Sequence, residues 1–295
     1  MTTQRKADLL LVLITGFWGC SYYLSDLALG EMPPFALCAM RFLLAFALLG
    51  IALFPKLRHV NRKTLLWAVP AGLSLTPTYI GATVGLLYTS ISNAGFICSL
   101  PAVTTPLLAF LLYRKKPERR MLLCLALCTV GLGLLTLGND FRPAPGDLIC
   151  LLCALGYGIN LLVVEHAVRQ PEVAALQLGV FQQLVTGAAM LVLSLLFESP
   201  CLPRTPTGWG SVLFLSVFCT GTAFAITAVQ QKHTSAVHVG LIFTLEPLFS
   251  AIVAFFLARE RLAPRGYVGA ALMMLALVTM EVGLPFLKKK KPVKE

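Results

Sequence analysis

Ten apolar runs of about 20 residues, each nearly free of charged side chains, occupy most of this 295-residue chain. A helix rises about 1.5 Å per residue and the hydrocarbon layer is about 30 Å thick, so each run is long enough to span a bilayer. Only 13% of the residues are charged, about half of what a soluble domain carries. The sequence therefore predicts an all-α integral membrane protein with ten transmembrane helices. They lie at roughly 8–28, 35–54, 65–88, 92–113, 121–138, 147–165, 174–197, 208–231, 235–257 and 266–284.

The formal net charge of +11 comes mainly from short segments between the apolar runs. Basic residues cluster at 56–63, at 114–120 and in the tail 285–295. Cytoplasmic loops of membrane proteins are enriched in Lys and Arg, so this pattern indicates topology rather than nucleic-acid binding. It predicts a multi-pass protein of the plasma membrane with both termini in the cytoplasm, partnered by the lipid bilayer and a small-molecule substrate.

The second half of the chain echoes the first at a distance of about 145 residues. PAVTTPLLAFLL begins at Pro101, and PLFSAIVAFFLA begins at Pro247. Five spans per half is an odd number, so two such copies must face opposite ways, as inverted repeats of secondary transporters do. The sequence predicts one five-helix repeat at 1–139, an inverted five-helix repeat at 140–284 and a basic cytoplasmic tail at 285–295.

Several short motifs occur along the chain in an order that is typical of one transporter family. They are FWG at 17–19, RFLLA at 41–45, TSA at 234–236, LEP at 245–247 and LARERL at 257–262. With these motifs the chain resembles the EamA family of ten-span proteins in the drug/metabolite transporter superfamily. The resemblance implies export or exchange of amino acids, related metabolites or drugs, with no ATP-hydrolysing domain and no cofactor. It names no particular substrate.

Three ionisable side chains within the predicted spans are candidates for function, because a charge in hydrocarbon costs several kcal/mol. Arg41 could bind a substrate carboxylate, or it could be a structural residue about 10 Å from its span start. Glu246 directly precedes Pro247, which disturbs the helix, so it could carry a proton or bind a cationic group. His238 could join it in proton coupling or simply lie at the membrane interface.

Uncharged polar side chains inside the spans predict a polar central cavity. Each one alone is more simply explained by a hydrogen bond between helices, worth under about 1 kcal/mol. Together with Arg41 and Glu246 they form the predicted substrate-binding set. The uncharged members are Trp18, Tyr22, Tyr79, Asn93, Asn160 and Gln182.

Two other classes of function stay open at this point. A membrane-embedded enzyme acting on a lipid or isoprenoid would need clustered Asp, His or Cys at the membrane face. A scaffold or channel-like component would need no special role for Arg41 or Glu246. The pairs Cys124/Cys128 and Cys150/Cys153 lack a nearby His, so they predict small buried side chains rather than a metal site. The transporter is predicted to be a monomer or a homodimer that exports by alternating access.

Overall fold

The computed structural model describes residues 3–89, 94, 97–114, 119–136, 145–258 and 264–282. Within these residues the chain forms ten main helices and a single helical turn at Phe54–Leu57. The helices are α1 Thr3–Leu29, α2 Pro34–Ala52, α3 Arg62–Leu86, α4 Pro101–Tyr113, α5 Arg119–Thr136, α6 Pro145–Val168, α7 Ala175–Phe197, α8 Pro206–Gln230, α9 Ala236–Leu257 and α10 Pro264–Val282.

Helical backbone suits these sequences because a helix satisfies its own N–H and C=O groups where no water is present. Six of the described helices are at least 18 residues long and apolar enough to cross a membrane, namely α1, α2, α6, α7, α8 and α9. Shorter apolar helices lie at Pro101–Leu112 and Leu122–Gly131. The prediction of an all-α membrane protein with ten helices is confirmed.

Two of the helices change their winding near the middle of the bundle. In α8 the segment Leu215–Thr222 is π-helical. In α9 an α-helical start is followed by a 3₁₀ turn at Phe243–Leu245, and the α-helix resumes at Glu246. Pro247 has no N–H to donate, which fits a tightened turn at this point. Phe224 and Glu246, which line the cavity described below, lie just beyond these two irregular segments.

Contacts at one end of the bundle, here named the Asp8 end, define the direction of three helices. Asp8 lies in the second turn of α1, and its Oδ1 is 2.9 Å from Nε2 of His238 near the start of α9. The backbone N–H of Ala236 donates to Oε2 of Glu165, in the last turn of α6, at 2.9 Å. Helices α1 and α9 therefore begin at the Asp8 end, and α6 ends there.

Contacts at the opposite end, named the Glu31 end, involve the connections that flank α2 and α8. The N–H groups of Phe35 and Ala36, in the first turn of α2, donate to the Glu198 carboxylate, each at 2.9 Å. Glu198 directly follows α7, so α2 begins where α7 ends. Because α1 likewise begins where α6 ends, α1 runs opposite to α6, and α2 runs opposite to α7.

Glu31 fastens the α1–α2 connection to the start of α8. Its carboxylate accepts hydrogen bonds from the Thr205 hydroxyl and from the backbone N–H groups of Arg204 at 2.7 Å and Thr205 at 3.1 Å. The Thr205 hydroxyl, followed by these two N–H groups, lowers the pKa of the Glu31 carboxyl below its ordinary value. All of these bonds favour the ionised form of the carboxyl.

Replacing Glu31 by Gln is expected to lower the melting temperature at pH 7. A carboxyl whose pKa is lower in the folded state stabilises the fold above its ordinary pKa of about 4, and that stabilisation is lost as pH falls through the folded value. Melting curves of the wild type and Glu31→Gln in detergent should therefore differ at pH 7 and converge at acidic pH. Equal melting temperatures at pH 7 would contradict this role for Glu31.

Glycines allow α3 and α6 to pack with their backbones in contact. A Cβ atom added to Gly81 would lie 2.4 Å from the backbone N of Cys153, and one added to Gly156 would lie 2.9 Å from the backbone N of Thr78. Small residues at such positions let membrane helices approach closely. This contact joins the first half of the chain to the second and fixes one wall of the cavity.

Candidate functional site

A cavity of about 70 Å³ lies between the two halves of the bundle, bordered by α1, α2, α3, α6, α8 and α9. That volume has room for several ordered waters, at roughly 10–15 Å³ for each. Charged and hydroxyl-bearing side chains dominate its polar lining. They are Ser21, Tyr22, Ser25, Arg41, Thr78, Tyr79, Thr83, Tyr157 and Glu246.

Arg41 brings a buried positive charge to one wall of the cavity. The side chain is 4% exposed, and its Nε donates to the Thr220 hydroxyl at 2.8 Å. Its guanidinium carbon lies 4.9 Å from the ring centre of Tyr79, within the range of a cation–π interaction. The described residues accept no hydrogen bond from the terminal Nη groups of Arg41. A ligand entering the cavity can therefore use these donors.

Glu246 contributes the acidic group of the cavity from α9. The Tyr22 hydroxyl lies close to the Glu246 carboxyl, so α1 and α9 meet at this point of the cavity. None of the ion pairs among the described residues joins Glu246 to Arg41. The cavity thus holds one cationic and one acidic side chain that do not neutralise each other by direct contact, and each comes from a different half of the chain.

Trp18 forms the centre of an aromatic wall. Its Nε1 donates to the Cys219 carbonyl at 2.7 Å, within the π-helical segment of α8. Its ring centre lies 4.6 Å from that of Phe243, 5.6 Å from that of Tyr157 and 5.8 Å from that of Phe224. The hydrogen bond and the ring contacts fix Trp18 in one orientation, so this wall is rigid and mostly apolar.

Tyr157 carries the one cavity-lining hydroxyl that is buried without a partner among the described residues. Its ring stacks on Phe243 with centres 6.0 Å apart, and the residue is 7% exposed. A buried hydroxyl without a hydrogen bond costs free energy. The Tyr157 hydroxyl is therefore available to hydrogen-bond to a ligand that enters the cavity.

The other residues singled out from the sequence lie elsewhere. Asn160 and Gln182 hydrogen-bond to each other at 3.3 Å, and Asn160 also donates to the Ala71 carbonyl at 2.9 Å. These bonds tie α3, α6 and α7 together beside the cavity. His238 contacts Asp8 at the Asp8 end. Asn93 lies outside the described residues. The proposed roles of all the candidate site residues remain predictions.

Several cavity residues were not singled out for the site by sequence reasoning. Tyr157 could have been found, because Tyr157-Gly158 in the second half of the sequence echoes Trp18-Gly19 in the first. Cys98 and Cys153 line the cavity as well, and nothing in their sequence context distinguishes them from the other buried cysteines. Their position follows from the packing of α6 against the residues that precede α4.

Comparison with protein families gives a match over nearly the whole chain. The model of the EamA-like transporter family matches twice, at residues 5–137 and at residues 144–281. The two matched segments correspond to the two halves of the bundle.

Similar proteins include an uncharacterised transporter of Archaeoglobus fulgidus, 28% identical over 94% of this chain and 86% of that protein. A protein of Escherichia coli (strain K12) named as a probable amino-acid metabolite efflux pump is 22% identical over 98% of this chain and 99% of its own length. A crystal structure with 20% identity superposes with a TM-score of 0.80 over 97% of this chain and 99% of that one, which supports the fold. The family match and the names of these relatives agree with the prediction of a transporter rather than an enzyme.

Proposed function

The chain belongs to the EamA-like transporter family, and from that premise we propose that it is a secondary exporter of amino acids or closely related small metabolites or drugs. Transport proceeds by alternating access between its two inverted halves, with the cavity as the substrate site. The E. coli relative is named for amino-acid metabolites, which supports this class of substrate.

The observation that carries the proposal is the pair of opposite charges, Arg41 and Glu246, on different walls of one cavity. A guanidinium binds a carboxylate through two parallel hydrogen bonds, and a carboxylate binds an ammonium group. A zwitterion satisfies both charges at once, while an ion of one sign leaves the other charge buried without a partner. The aromatic wall around Trp18 then receives the apolar part of the substrate.

The same proposal places the protein in the plasma membrane with the Asp8 end towards the cytoplasm. The connection between α2 and α3, at residues 53–61, lies at this end and carries Lys56 and Arg58, as the positive-inside rule expects. Proton coupling is part of the proposal and is assigned to Glu246, the acidic side chain that borders the cavity. A role for His238 in coupling would involve Asp8, its partner in the structure.

The proposal is tested by flux in proteoliposomes containing the purified full chain. Each amino acid is compared with its amide, which lacks the carboxylate, and with its N-acetyl derivative, which lacks the ammonium. The zwitterion should exchange, and each derivative should compete about tenfold less well, since a charged hydrogen bond contributes roughly 1.5–3 kcal/mol. No flux of any compound would overturn the proposed function. Flux that a pH gradient does not change would contradict proton coupling alone.

Replacing Tyr157 by Phe is expected to separate binding from stability. Because the hydroxyl has no partner among the described residues, its removal should leave the melting temperature unchanged or raise it slightly. If the hydroxyl binds substrate, KM should rise about fivefold, the equivalent of one neutral hydrogen bond. A lower melting temperature with unchanged KM would show a structural role instead. Tyr267→Phe, at an exposed tyrosine of α10, is the matched control.

A further inference from the structure

A second polar contact between the two halves lies at the Asp8 end, away from the cavity. Oδ1 of Asp8 is 2.9 Å from Nε2 of His238, and the two side chains are only 12% and 17% exposed. Gln4 donates to the same carboxylate oxygen at 2.9 Å. Asp8 belongs to the first half and His238 to the second, so this contact joins elements that must move apart if the pathway opens here.

The second carboxylate oxygen of Asp8 is buried and has no hydrogen-bond partner among the described residues. A buried carboxylate oxygen without a partner costs free energy. The neighbouring carboxylate of Glu165 is bonded on both oxygens, to the Ala236 N–H and to Arg169. The Asp8 carboxylate is therefore less completely hydrogen-bonded than the Glu165 carboxylate beside it, which suits a contact that forms and breaks.

A layer of buried apolar side chains lies between this contact and the cavity. Leu11 and Ile14 of α1 and Val239 and Ile242 of α9 are 3% exposed or less, and they belong to one packed cluster. Along the helix axes, Asp8 lies about 15 Å from Trp18 at 1.5 Å per residue. On the other side of the cavity Ser21 and Ser25 are partly exposed. The described conformation is thus closed at the Asp8 end.

We propose that Asp8 and His238 form an interhelical latch that holds the transport pathway closed at the Asp8 end and breaks once in every cycle. The inference rests on the proposed function, because a latch of this kind has a role only in alternating access. Breaking the contact by mutation removes part of the stability of the closed state. The protein then spends more time with the cavity open to the Asp8 end.

The native cysteines allow the latch to be tested in the full chain. Cys98 and Cys153 line the cavity, so a membrane-impermeant methanethiosulfonate applied from the Asp8 side reaches them only when that end is open. Peptide mass spectrometry then reports the rate at which each thiol is modified. Cys124 and Cys128, buried at α5 outside the cavity, report unfolding, because they should react only if a variant loses its fold.

Asp8→Asn and His238→Gln are each expected to raise the modification rate of Cys98 and Cys153 about tenfold, the equivalent of one charge-assisted hydrogen bond. The double variant Asp8→His/His238→Asp, which swaps the two side chains, should bring the rate back towards the wild-type value. The matched control is Lys63→Gln, which breaks a pair between the halves whose side chains are 57% and 53% exposed and should leave the rate unchanged.

Equal modification rates in the wild type, Asp8→Asn and His238→Gln would overturn the latch, as would a rise in Lys63→Gln of the same size. Flux measured on the same preparations separates this inference from the proposed function. Wild-type protein without flux would contradict transport, whereas wild-type flux with equal modification rates would contradict the latch alone.

Discussion

Replacing Arg41 by Gln is expected to reduce substrate exchange about a hundredfold while the protein remains folded. The guanidinium is buried beside the cavity, and its Nη groups make no hydrogen bond to the described residues. Loss of two charge-assisted bonds to a carboxylate corresponds to roughly 3 kcal/mol, or two orders of magnitude in affinity. Arg41→Lys keeps the positive charge but cannot form two parallel hydrogen bonds to a carboxylate. Its exchange should lie between that of the wild type and that of Arg41→Gln, about tenfold below the wild type.

The matched control for Arg41 is Arg169→Gln. Arg169 forms an ion pair with Glu165 on an exposed helix face, and its side chain is 59% exposed. Exchange by this variant should equal that of the wild type, because exposed pairs contribute little. If Arg41→Gln lowered the yield of folded protein as strongly as it lowered exchange, Arg41 would be a structural residue that anchors α2 to α8 through Thr220.

Replacing Gly81 by Ala is expected to cause a large loss of stability. The new Cβ would lie 2.4 Å from the backbone N of Cys153 and 2.9 Å from the backbone O of Ile149. Backbone atoms cannot shift as easily as the end of a flexible side chain, so α3 and α6 must move apart. Overpacking commonly lowers the free energy of unfolding by about 1–3 kcal/mol, and the loss for Gly81→Ala should lie at the upper end of this range or above it.

Gly50→Ala is the control for Gly81→Ala, because a Cβ added at Gly50 meets nothing within 4 Å. Melting temperature and the monodisperse fraction in mild detergent should be unchanged or slightly improved in Gly50→Ala and clearly lower in Gly81→Ala. Equal melting temperatures for both variants and the wild type would show that α3 and α6 are packed less closely than the structure has them.

The fold could be predicted from the sequence to within a few residues for most helices. The runs 147–165 and 174–197 became Pro145–Val168 and Ala175–Phe197. Such agreement has a physical cause, because bilayer thickness sets the length of an apolar helix and charge or proline marks its end. Residues 90–93, at the boundary between the runs 65–88 and 92–113, lie outside the described part of the chain.

The candidate site was less accessible to sequence reasoning, because a polar residue in a span has two possible partners, a neighbouring helix or a ligand. Asn160 and Gln182 hydrogen-bond to each other between two helices, whereas the Tyr157 hydroxyl lines the cavity and has no partner among the described residues. His238 was a candidate for proton coupling together with Glu246. Its side chain contacts Asp8 of α1, a partner from a distant part of the sequence that no local pattern around His238 indicates.

The π-helical segment of α8 has a consequence for the aromatic wall. A π-helical turn accommodates about one more residue than an α-helical turn, so side chains beyond it are rotated by roughly 100° from where an unbroken α-helix would place them. Phe224 is the second residue after the segment, and its ring lies among those of Trp18, Tyr79 and Tyr157. The number of residues in α8 therefore determines the direction in which Phe224 points. Deleting one residue from Leu215–Thr222 would turn Phe224 away from the wall, although the residue types of the wall would all be unchanged.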